Sequence, residues 1–312
     1  MRMILRRAIG ALPLALVAVI ITFVLGRIAP GDPVSAMLEN GASQTVVDSI
    51  LIHYGLDKPI LEQLWIYFGE LLHGNLGYSY SRGGIPVIEI IGDSWLVSLQ
   101  LGALSMLLML GLGIPLGIIA AAYRSRTLDW VVRGFVVLGT SVPSFVIAYV
   151  GIWWLGVQLK ALPIGGWGSW EQAILPTIVL GLPGAAYLTR QTRSALLDAL
   201  SQDYIRTAKA KGLSQITIMT RHALRNSLLP VVTMVGPVLG TAVGGFFIVE
   251  NIFSIPGMGR LSVQAVYSRD YPLLQAIVLL LVFSFVCANL LVDIAYLWID
   301  PRIHHRKASR AH

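Results

Sequence analysis

Six stretches of this chain, at about 8–26, 95–122, 131–159, 174–188, 228–249 and 273–299, are nearly uninterrupted runs of apolar residues. Roughly 20 such residues span a bilayer core as a helix, and backbone polar groups in lipid must be satisfied within the segment. A chain punctuated in this way has few folds open to it. With 55% hydrophobic and only 12% charged residues, it reads as an all-α polytopic membrane protein of six spans, residues 1–312 forming one transmembrane domain. Nucleic-acid binding is not implied by the net charge of +7; in such a chain the placement of the charge carries the information.

The first run follows three arginines, Arg2, Arg6 and Arg7. It resembles a signal sequence but exceeds the 7–15 residues usual for one, so an uncleaved first span is expected. The fourth run is the shortest and holds Pro176 and Pro183, which predicts a kinked or tilted helix. Placing the N-terminus in the cytoplasm puts seventeen of the 23 basic residues on the inside. The positive-inside bias therefore predicts a multi-pass protein of the cell membrane with both termini cytoplasmic. On the outer face, residues 30–93 form a large insertion between spans one and two. Within it 45–54 and 59–72 show helical spacing. It reads equally as a surface-lying amphipathic pair or as a docking surface.

Some chemistry is missing. A P-loop needs Gly-x-x-x-x-Gly-Lys-Ser/Thr, and the sequence has no Gly-Lys dipeptide. Neither a His-Glu-x-x-His zinc motif nor a Gly-x-Ser-x-Gly elbow occurs. The six histidines lie outside the apolar runs, with His304 and His305 in a basic tail, and a lone Cys287 allows no disulfide within the chain. No catalytic or metal site is expected, and no cofactor in this chain. Asp293, near Asn289, stands out as the intramembrane acid. It reads as structural pairing with an arginine, ion coupling being the alternative.

The cytoplasmic loop 190–228 is the most distinctive polar part. Ser201 to Asp203 suit a helix start and Gly212 a stop, which predicts a short helix over 204–211. Ala208 and Ala210 keep it slim, while Arg206, Lys209 and Lys211 charge it. Such a helix suits a groove in a partner protein; a solvated basic loop serving topology alone is the competing reading.

Here the sequence resembles the permease subunits of binding-protein-dependent ABC importers, in the peptide/nickel branch. The resemblance rests on Asp203-Tyr-x-Arg-Thr-Ala-x-Ala-Lys-Gly212 and His222-Ala-Leu-Arg-Asn-x-Leu-Leu-Pro230. Further ordered matches are Pro30-Gly-Asp-Pro33, Tyr54-Gly-Leu-Asp-Lys-Pro59, Gly74-Asn-Leu-Gly77, Glu250-x-Ile-Phe-Ser-Ile-Pro-Gly-Met-Gly-Arg260, Arg269-Asp-Tyr-Pro272 and Asp300-Pro-Arg302. They cover nearly the whole chain. Aligned on Gly212, the Glu-Ala-Ala of the general importer loop falls on Arg206-Thr207-Ala208, a departure that moves the expected contact from an acid to shape around Ala208 and Gly212.

The resemblance implies a type I importer permease fold and half of a translocation pore for di- or oligopeptides. The implied partners are a homologous second permease, two cytoplasmic ATPase domains holding ATP and Mg, and an extracytoplasmic solute-binding protein. Asp203, Tyr204, Arg206, Thr207, Ala208, Lys209, Ala210, Lys211, Gly212 and Leu213 are then the ATPase-coupling residues. Small residues in the spans, such as Gly139, Gly181 and Gly184, suit either close helix packing or a roomy substrate route, so no substrate-contact residue is assigned. Import of nickel or another small solute on the same scaffold, and a stand-alone secondary transporter or channel, remain as alternatives.

Overall fold

The computed structural model describes residues 58–214 and 246–299 continuously, together with 43–54, 16–24, 217–224 and isolated positions at 10, 13, 26, 38 and 227, with side chains up to 290 except at 46, 50, 53 and 54. The described residues form helices: α1 (Gln44–Tyr54), α2 (Ile60–Leu72), α3 (Val87–Ala122), α4 (Thr127–Ser141), α5 (Ser144–Gly151, continuing as a π-helical stretch Ile152–Gln158), α6 (Trp170–Leu200), α7 (Asp203–Ala210), α8 (Met258–Tyr267) and α9 (Tyr271–Ile299). They fall into two compact units, residues 1–100 with 246–286, and 101–245 with 287–312.

Among the described residues, α3, α6 and α9 are each long and apolar enough to cross a membrane, and α4 with α5 makes up to a fourth span. The run at 228–249 lies largely outside the described residues, the run at 8–26 is described at 10, 13, 16–24 and 26, and the side chain of Asp293 and the basic tail lie outside them. One expectation is corrected. Residues 131–159 are not one straight span, because α4 and α5 meet at 102° across Val142 and Pro143. Proline disfavours the α region for the residue before it and carries no N–H of its own. Val142 accordingly sits at φ −86, ψ 122 and the helix ends there. The fourth run, the shortest of the apolar stretches, belongs to a 31-residue helix that runs on past Leu188 to Leu200. Polar residues at both ends of α6 extend it past the apolar stretch, and Pro176 and Pro183 both lie within it.

In the second unit α6 is the packing centre. Close approach is bought with small residues: a Cβ on Gly117 would stand 2.5 Å from Cβ of Thr192, and one on Gly139 2.6 Å from Cβ of Ala186. For Gly139 and Gly181, close helix packing is thus the role found. In the first unit Val87 and Ile91 of α3 share a core with Met258, Leu261 and Ala265 of α8 and Leu273, Ala276 and Ile277 of α9.

Candidate functional site

α7 begins with Gln202 in extended conformation as its N-cap and Asp203 in its first turn, where a carboxylate complements the helix dipole. Asp203 and Arg206 form an exposed ion pair at 3.6 Å. The helix ends in a Schellman arrangement: the Gly212 N–H donates to the Lys209 carbonyl at 2.9 Å, and the Leu213 N–H to the Ala208 carbonyl at 3.3 Å. Gly212 adopts φ +75, a conformation glycine reaches without the cost a Cβ imposes. The helix stop expected at Gly212 is therefore present.

The helix has two faces. Ile205 and Ala208, three residues apart, are 1% and 5% exposed. They pack with Ala121 at the end of α3, Leu196 and Ala199 of α6, and Ile218 and Ala223 of the π-helical turn Ile218–Ala223. Asp203, Tyr204, Arg206, Thr207, Lys209, Ala210, Lys211, Gly212 and Leu213 are exposed. Ala208 was expected as a shape contact on the outside; it is instead the small residue that lets α7 sit close on α6. Ile205 was missed, although its i, i+3 spacing from Ala208 is the signal for such an inward pair.

A buried ionic cluster lies toward the same end of α6. Asp129, fully buried in the first turn of α4, accepts two bonds from Arg193, from Nε at 2.8 Å and from a terminal nitrogen at 2.9 Å. Arg133 adds a bond at 3.0 Å and the Ser125 N–H another at 3.0 Å. Arg133 also lies 5.0 Å above the Trp130 ring. Nine residues separate Arg193 from Asp203, all but the last two within α6. The cluster therefore fixes α4 to the helix that carries α7. The i, i+4 spacing of Asp129 and Arg133 is visible in sequence; the partner 64 positions away is not.

The first unit has two further buried carboxylates. Glu250 accepts a bond from the Ser98 hydroxyl at 2.6 Å and one from the Arg260 N–H at 3.1 Å, while Ser98 in turn accepts from the Met258 N–H at 2.8 Å. A Cβ on Gly257 would stand 2.4 Å from this carboxyl. The segment Glu250 to Arg260 thus closes around its own acid. Asp270 Oδ2 accepts from the Ser79 hydroxyl, from the Ser81 N–H at 3.0 Å and from the Ser81 hydroxyl at 2.7 Å. Its other oxygen accepts from the Leu273 N–H at 3.3 Å.

Several of the ordered sequence signatures are therefore places where a polar side chain holds a loop. Comparison with known proteins places them in one family. Residues 113–305 match the model of the binding-protein-dependent transport system inner membrane component, and residues 1–101 match its N-terminal companion. The chain belongs to that family.

It is an inner-membrane, multi-pass transport permease, and its family works with ATPases and binding proteins. The glutathione transport system permease protein GsiC of Salmonella choleraesuis is 39% identical over 304 residues, covering 97% of this chain and 99% of that one. A Sinorhizobium fredii protein named "Probable peptide ABC transporter permease protein y4tP" is 36% identical over 310 residues, with the same coverage of each chain. Among solved structures, the MetNI methionine ABC transporter in an inward-facing form matches with a TM-score of 0.57 and 19% identity, covering 68% of this chain and 97% of that one. That likeness supports the type I importer permease fold expected from the sequence.

Proposed function

We propose that this permease forms half of the translocation pore of an ATP-driven importer of di- or oligopeptides, with α7 as the coupling helix. Its partners are a homologous permease, an extracytoplasmic solute-binding protein and two ATPase domains. ATP and Mg are held by those ATPases, and this chain performs no hydrolysis. Both termini are cytoplasmic and residues 30–93 lie outside. Peptide as cargo rests on the names of the relatives, among which peptide and glutathione systems recur.

The observation that carries the coupling role is the two-faced build of α7. Ile205 and Ala208 seat it on α6, while Tyr204, Thr207, Lys211 and Leu213 stay exposed. A helix held on one side and bare on the other can transmit a push to the spans, provided its partner binds two states of the pore unequally. The Asp129–Arg193 bond extends the rigid part to α4.

The test is co-purification and coupled transport. Thr207→Trp should leave the permease folded and membrane-inserted but reduce its retention of the ATPases about tenfold, the effect of losing about 1.4 kcal/mol of docking energy. Full retention with normal uptake would remove α7 from the interface. Uptake that persisted with inactive ATPases would indicate a stand-alone transporter instead.

A further inference from the structure

We propose that α2 is sunk into the bilayer beside the first and last membrane segments, with Leu61, Trp65 and Leu72 against lipid acyl chains, and does not stand above the membrane as a cap. The first observation is depth. Gly26 lies against Tyr271, where an added Cβ would meet the tyrosine Cβ at 3.1 Å, so these two residues mark one level. Tyr67 of α2 stacks on Phe23 at 5.8 Å between ring centroids. The cluster they belong to includes Val19, with Leu64, Phe68 and Leu71 of α2 and Leu279 of α9 packed against it. At about 1.5 Å rise per residue, Phe23 and Val19 lie about 4 and 10 Å from the level of Gly26, and Leu279 about 12 Å from that of Tyr271. Helix α2 therefore packs alongside the apolar runs at 8–26 and 273–299, over a depth that belongs to hydrocarbon and not to water.

The second observation is the pattern around the helix. Successive residues turn by about 100°, so Leu61, Trp65 and Leu72 share an arc of about 40°. They are 72%, 76% and 88% exposed. Gln63 and Tyr67 occupy the buried arc, and Glu62, Glu70 and His73 fall on the remaining one. A water-borne partner would meet that polar arc. The apolar arc continues the kind of surface shown by Ile88 and Leu96 of α3 and Phe283 of α9, exposed apolar side chains on membrane-crossing helices. A tryptophan among aliphatic residues beside charged groups is the composition found at the edge of a bilayer.

This inference rests on the membrane assignment alone and not on the peptide-import reading, so either can fail without the other. The full importer, with Cys287→Ser as background, is placed in lipid nanodiscs and spin-labelled singly at L61C, E62C, W65C and L72C. Collision rates with oxygen and with a water-soluble nickel chelate are then measured. The ratio of oxygen to nickel accessibility should be several-fold higher at 61, 65 and 72 than at 62. Nickel access at 61, 65 and 72 equal to that at 62 would put the stripe in water and overturn the proposal. Exclusion of both reagents would put it under a protein partner and overturn it equally. Without any introduced cysteine, acyl-brominated lipid should quench the intrinsic fluorescence of the wild type more than that of Trp65→Phe. Equal quenching would also count against it.

Discussion

Arg193 on α6 grips Asp129 on α4 with two parallel bonds of 2.8 and 2.9 Å, and the carboxylate it holds is closed off from solvent. The partners are unequal, since the side chain of Asp129 is 1% exposed and that of Arg193 19%. Removing Arg193 leaves the buried charge to the half-exposed Arg133 and the Ser125 N–H alone, whereas removing the anion leaves guanidiniums that can turn outward.

Arg193→Gln should therefore destabilise the permease, but by less than the range of about 3–5 kcal/mol for leaving a buried charge with no partner, because Arg133 still holds the carboxylate. Asp129→Asn should cost less, and the double variant no more than Arg193→Gln alone. Thermal unfolding of the four proteins in one detergent gives the cycle. Additive losses would mean that the two side chains do not depend on each other.

Gly257 and Gly212 are both glycines for reasons that predict opposite remedies. An added methyl at Gly257 would collide with the Glu250 carboxyl at 2.4 Å. Gly257→Ala should cost about 1–3 kcal/mol through overpacking, and Glu250→Asp, one methylene shorter, should return part of that loss. Melting temperatures of the single and paired variants test it, and no recovery in the pair would show that the clash lies elsewhere.

At Gly212 an added Cβ meets nothing within 4 Å, and only the φ of +75 demands glycine. Gly212→Asn should be milder than Gly212→Val, because asparagine tolerates the left-handed region and β-branched residues do not. Assembly yield with the ATPases ranks the two variants. Equal yields would mean that the helix end does not require this conformation.

Asp270 Oδ2 accepts three bonds from Ser79 and Ser81. In Asp270→Asn the amide can keep its oxygen on that side only by turning its NH2 toward the Leu273 N–H. At least one buried bond is lost, at about 1–3 kcal/mol. Faster hydrogen exchange of the amides at 79–87, where the Val87 N–H bonds the Gly77 carbonyl at 2.9 Å, is the expected result. Unchanged exchange would mean that the loop holds without the carboxylate.

How much of this was readable from the chain depended on the range of the interaction. Local signals served well: hydrophobic spacing located α1 and α2, and a glycine after a short polar run located the end of α7. The bend at Pro143 was also local, but the apolar run continued unbroken through it and hid the stop. Asp129 with Arg193, Glu250 with Ser98 and Asp270 with Ser79 join positions 64, 152 and 191 residues apart, so nothing in sequence spacing pairs them. The inward turn of Ala208 follows from what surrounds α7, which composition alone does not reveal.

Because α7 has one seated face and one bare face, stability and coupling should separate by position. Ile205→Ala removes a side chain that is 1% exposed in the cluster with Leu196 and Ile218. It should cost about 2–5 kcal/mol for the lost burial and the cavity, with loss of ATPase retention following from displacement of the helix. Ala208→Glu should act the same way, since it forces a charge into that cluster. Tyr204→Ala and Lys211→Glu change exposed groups and should leave the melting temperature within about 0.5 kcal/mol of wild type in equivalent stability, while lowering ATPase retention. The measurement is melting temperature plotted against ATPase retention for all four variants. Points on a single line would mean that α7 acts only through stability, and two separate groups that its outward face makes the contact.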